Sequence, residues 1–137
     1  MRTIIQQSVV LSARADALYA MYLDPLTHAA ITGAPVTISA EPGATFLAFE
    51  GAIRGTILST ISQSLIVQSW RSVHFNEDDA DSTLILSFRA RGEDGQIDLV
   101  HLDVPTHDFQ GVTEGWETHY WEPWRRYLTD RGSFGVP

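Results

Sequence analysis

Between Val36 and Val104 the chain alternates apolar and polar residues in short runs separated by turn-forming residues. That two-residue period is the mark of strands with one buried face. The runs are Val36–Ala40, Thr45–Phe49, Ile53–Ile61, Leu65–Arg71, Thr83–Ala90 and Ile97–Val104, divided by Pro42-Gly43, Glu50-Gly51, the acidic stretch HFNEDDADS and the turn RGEDG. Such short connections impose antiparallel neighbours, because a parallel crossover needs a dozen or more residues. Ahead of this meander, Thr3–Leu11 reads as a strand closed by Ser12, a favoured helix N-cap. The period then changes. Leu18, Met21 and Tyr22 mark a short helix that stops at Asp24-Pro25, since a residue before proline is pushed out of helical geometry. A second helical piece, Leu26–Ile31, ends at Gly33.

After the strands comes GVTEGWETHYWEPWRRYL, Gly111–Leu128, with three tryptophans and two tyrosines. On a helix, Val112, Trp116, His119, Tyr120, Pro123 and Tyr127 form one apolar stripe, and Trp121, Trp124 and Leu128 a second, offset one. Pro123 has no N–H and should leave the His119 carbonyl free, which predicts a kink. The fold class predicted is α+β: one domain over 1–137, with a strand, two short helices, about six more strands, a long helix and a fraying tail at 131–137.

Alternation also assigns faces. Leu84, Leu86 and Phe88 share one, as do Ile97, Leu99 and His101, and Ile66, Gln68 and Trp70; all should face the final helix. A sheet of six or seven strands coils, so a helix across its concave side leaves space. Trp70, His101, Trp116 and Tyr120, each apolar with a polar handle, are the candidates to wall that space, with Phe46, Leu86 and Leu99 behind them.

Composition narrows the partners. The apolar fraction is 44% and no run approaches the length needed to span a bilayer, which with no recognisable secretory leader predicts a cytoplasmic protein. There is no cysteine, so thiolate chemistry and disulfides are excluded. A net charge of -8, with nine cations that are all arginine, argues against nucleic acid and for neutral, apolar or basic partners.

The segments ITGAPVTIS, EPGATFLAFEGAIRG, IVQSWR, HLDVP and GWETHYWEPWRRYL, in this order, resemble the activators of the ninety-kilodalton heat-shock protein ATPase and their single-domain bacterial homologues, within the START-like (SRPBCC) superfamily. The resemblance covers about Ile4 to Leu128. It implies a helix-grip fold: a curved antiparallel sheet around a long C-terminal helix, with a cavity between. One departure stands out. Where the family often has an aromatic-proline pair after its WR, this chain continues Ser72-Val73-His74-Phe75-Asn76.

Among polar residues, His101 reads either as a ligand contact or base near neutral pH, oriented by Asp103, or as a core histidine bonded to a neighbour. His101, Asp103, His107 and Asp108 lack a recognised metal-ligand spacing, so no metal is expected, and no cofactor. Glu117 and His119 face different sides of a helix and form no dyad, while Glu122 is spaced to pair with Arg125 or Arg126. The acidic loop Asn76–Asp81 is a solvated turn or a contact for a basic partner. Three functions are open: a non-enzymatic module binding a small apolar or amphipathic molecule, a stress-related regulator of a chaperone, or a cofactor-free enzyme using His101. No catalytic residue is assigned, and an exposed sheet edge or the second aromatic stripe could support a homodimer.

Overall fold

The computed structural model describes residues 2–135, the last five by backbone alone. The tail 131–137, expected to fray, falls at this limit, and its final two residues lie outside the described residues. Six strands form one antiparallel sheet: β1 (Ile4–Leu11), β2 (Thr45–Ala48), β3 (Ile53–Ile61), β4 (Leu65–Ser72), β5 (Ser82–Arg91) and β6 (Asp94–Leu102), in the order β1-β6-β5-β4-β3-β2. The meander therefore runs backwards across the sheet, and the N-terminal strand closes the far edge beside β6. The run at Val36–Ala40 does not become a full strand. Only Thr37 pairs, with Leu47, because β2 offers just four residues at its own edge of the sheet.

Two helices come after β1: α1 (Ala15–Leu23) and α2 (Pro25–Thr32). Ser12 does not cap α1. The helix starts later, with Arg14 at the N-cap and no side-chain bond there. Asp24 is the real cap of this corner, accepting the Thr27 N–H at 2.9 Å while Pro25 supplies the pre-set φ of a first helical residue. Gly33 ends α2 at φ 84°, a left-handed conformation cheap for glycine.

Registers confirm the predicted faces. Gln68 lies opposite Leu84, which lies opposite His101, and Ile66, Leu86 and Leu99 align in the next row. All six are at most 1% exposed. They form the floor on which the C-terminal helix lies, the helix-grip arrangement. Facing them, the chain runs through α3 (Phe109–Trp116), a π turn over Glu117–Trp121, and α4 (Glu122–Gly135).

The π turn answers Pro123. The N–H of Glu122 donates to the carbonyl of Glu117, five residues back, which widens the helix just before the residue whose ring would crowd an α-helical turn. The extra residue also rotates the remainder of the helix, so Tyr120 and Trp121, neighbours in sequence, are both buried, together with Trp116 and Trp124. The two predicted stripes thus merge into one buried band. His119 is corrected: predicted on the inward stripe, it is exposed.

Near the rim, Phe49, Glu50 and Gly51 are three consecutive left-handed residues, at φ 52°, 57° and 87°. Gly55 in β3 faces a different constraint, since an added Cβ would stand 1.9 Å from the Ser69 carbonyl oxygen. Two outcomes are expected in urea titrations. Gly55→Ala destabilises by about 1–3 kcal/mol through forced backbone displacement. Glu50→Gly, at a left-handed position, stabilises by about 1 kcal/mol.

Candidate functional site

The helix is tied to the sheet by a directional relay of buried polar groups. Trp116 Nε1 donates to His101 Nδ1 at 3.2 Å, His101 Nε2 lies 2.9 Å from Ser82 Oγ, and Ser82 Oγ donates to the Trp70 carbonyl at 2.6 Å. Because the indole can only donate, Nδ1 must accept, so the imidazole proton sits on Nε2 and points at Ser82. A second tie reaches the helical corner. His28 Nδ1 lies 2.8 Å from the Tyr22 carbonyl, which fixes the proton there, and His28 Nε2 accepts from the Tyr120 hydroxyl at 3.0 Å. Aromatic contacts reinforce both, with Trp70 edge-on to His101 at 4.7 Å and Tyr120 edge-on to His28 at 5.5 Å.

Burial pushes His101 down to about 3 and His28 down to about 4, because neither site solvates an imidazolium. Tyr120 is raised by the same cause. His101 is therefore a core histidine with both nitrogens engaged. It has no free lone pair for a substrate, and the reading of it as a base is corrected. Asp103 does not orient it, being turned outward in a two-pronged pair with Arg2 at 2.8 and 2.9 Å.

Beside this docked helix lies a groove of about 480 Å³. One wall is the rim of the sheet: Phe49 from the left-handed turn, Ala52 and Ile53, then Trp70, Ser72, Val73 and His74. The other is the first half of the C-terminal helix, from Asp108 through Val112 and Gly115 to Trp116, His119 and Tyr120. Of the residues predicted to wall a cavity, Trp70, Trp116 and Tyr120 border this groove, whereas Phe46, Leu86, Leu99 and His101 sit in the core, each at most 1% exposed. The lining from Phe49 and from the Ser72-Val73-His74 segment was missed. The signal available was the departure after Trp70-Arg71, which leaves the rim to small and polar groups. Phe75, the next residue, turns inward against Trp70 at 5.9 Å.

The acidic loop is pinned. Arg71 donates to the carbonyls of Asp79 and Asn76 and to Asp81, and His107 Nε2 lies 3.2 Å from Asp79 Oδ2. The backbone N–H of Asn76, and next His107, hold Asp79 below the usual carboxylate range. His101, Asp103 and His107 thus face three different partners and do not converge with Asp108 on a metal-binding geometry. On the helix exterior Glu122 pairs with Arg126 at 3.2 Å as its spacing predicts, while Arg125 reaches Glu117 instead.

By sequence, the chain is 23% identical over 107 residues, 78% of its length, to the human protein named activator of 90 kDa heat shock protein ATPase homolog 1. It spans 31% of that relative's length. Among solved structures, an activator of the same heat-shock protein from Plasmodium falciparum superposes with a TM-score of 0.80 at 20% identity, over 94% of this chain and 96% of that one. The chain has the heat-shock-protein-activator fold. This activator-like architecture also matches the solution structure of an Aha1 dimer from Colwellia psychrerythraea, with a TM-score of 0.72 at 12% identity over 85% of this chain and 90% of that one. No protein-family model matches the chain. Among the described residues, no helix is long and apolar enough to cross a membrane.

The buried histidines make stability depend on pH in a defined direction. The unfolded chain takes up protons near pH 6.5 and the folded one only near 4 at His28 and 3 at His101, so protons favour unfolding. Their contribution is fully present above about pH 6.5. It is lost as the pH falls toward 4, at up to about 1.4 kcal/mol per pH unit for each histidine. Urea midpoints at pH 7.5, 6 and 5, above the range where unfolded carboxylates titrate, should fall in that order.

Proposed function

We propose that the chain is a binding module that takes a small apolar or amphipathic molecule in the groove between the sheet rim and the C-terminal helix. The observation that supports this reading most is the make-up of the groove. Four aromatic side chains, Phe49, Trp70, Trp116 and Tyr120, border a volume of about 480 Å³ with a few polar groups among them. Volumes of this size lined by apolar groups are typical of small-molecule sites. Trp116 and Tyr120 are held there by His101 and His28, so the wall is rigid before any ligand arrives and little ordering cost opposes binding. His101 acts here as a positioning residue.

A second reading is favoured by the sequence similarity to the human activator over 78% of this chain: a regulator that docks on a ninety-kilodalton heat-shock protein. The two readings differ in what each assay returns. Purified chain that raises the ATPase rate of such a chaperone supports the regulator; a rate unchanged at saturating chain removes it.

For the binding module, Gly115→Leu is the informative variant. A Cβ at Gly115 meets nothing nearer than His119 Cδ2 at 3.6 Å, so the added side chain enters the groove without a backbone clash. Replacing a helical glycine also favours the helix by about 0.5–1 kcal/mol. The variant should be at least as stable as the parent. It should also lose a co-purifying small molecule detected by native mass spectrometry, or bind a fluorescent apolar probe at least tenfold more weakly. Unchanged probe affinity in a folded Gly115→Leu protein would place binding elsewhere and sink the reading.

A further inference from the structure

The groove is chemically lopsided. Apart from its aromatic and aliphatic surface it presents Ser72, His74, His119 and Asp108, and Asp108 is the one residue with a formal charge among those lining it. No arginine lines it. Asp108 Oδ2 is closed off from water and has no hydrogen-bond partner, an expensive state for a carboxylate oxygen. The side-chain donors of Arg71 and His107 are committed elsewhere. Arg71, on the strand that supplies Trp70 and Ser72, gives its donors to Asn76, Asp79 and Asp81, and His107, adjacent in sequence, faces Asp79. Asp108 also stands at the N-cap of α3 without making the side-chain bond a cap residue usually makes.

We propose, building on the binding-module reading above, that the molecule taken by this groove is an amphipathic amine: an apolar body with a terminal ammonium that meets Asp108. The aromatic border supports the same sign of charge, because ring faces attract cations and repel anions. A net charge of -8 further raises the local concentration of cations over anions.

The test is a matched series of one chain length, octylamine, 1-octanol and octanoate, titrated calorimetrically into the purified chain at pH 7. Octylamine should bind at least tenfold more tightly than octanol, with octanoate weakest. In Asp108→Asn the amine's advantage over octanol should shrink to within about twofold, with an unchanged near-ultraviolet circular dichroism spectrum of the tryptophans reporting that the groove is still folded. Octanol or octanoate binding as tightly as octylamine, or an amine advantage that survives Asp108→Asn, overturns the amine assignment and leaves the binding-module reading standing. Failure of all three to bind overturns both.

Discussion

The C-terminal helix stays on its sheet because Trp116 finds an acceptor there. An indole N–H brought into a dry interface must be matched, and His101 Nδ1 at 3.2 Å matches it, passing the requirement on to Ser82 and then to the Trp70 carbonyl. Each member of the relay depends on the next for its proton position. Pairing by Trp116 sets the tautomer of His101, and that tautomer makes Ser82 an acceptor whose own hydrogen must go to the backbone. Loss of any link leaves a buried polar group unpaired, at about 1–3 kcal/mol. The relay therefore specifies the position of the helix more sharply than apolar packing alone would.

That constraint explains how the groove stays open. A helix free to slide would settle into the coiled sheet and fill it. Here it is held at Trp116 by the sheet and at Tyr120 by His28 from the helical corner, two anchors one turn apart. The π turn lets both act together with Trp121, whose Nε1 donates to Gln7 on the edge strand at 2.8 Å. Three aromatic anchors thus reach three different parts of the chain. The space between α3 and the rim of the sheet is what remains once they are satisfied. Phe49 borders it, edge-on to both His119 and Tyr120, on a turn whose left-handed residues project it over the helix.

Much of the fold was legible because it rests on local period and turn chemistry. Strand boundaries from Ile53 to Leu102 fall within a few residues of their predicted places, and the faces assigned by alternation are those buried. The failures are specific. Thr37 forms a single bridge since strand length depends on the partner, and Ser12 looked like a cap only because nothing local told where α1 would dock. His119 was misassigned because a uniform 3.6-residue period ran through Pro123, whereas the π turn inserts a residue. The candidate site was half legible: the tryptophans and Tyr120 came out of amphipathic character, but the side that His101 serves did not.

The sequence by itself determined that an aromatic-rich helix must cover a curved antiparallel sheet, since no other element could bury three tryptophans, and that cysteine chemistry has no part here. Tertiary structure alone decided which polar groups are consumed in holding that helix and which remain over. His101 and Asp108 both read from sequence as chemical groups. One is spent in the core with two partners, and the other is left at the groove with an unpartnered oxygen. Hydrogen-bond pairing between elements remote in sequence makes that distinction, and neither period nor composition encodes it.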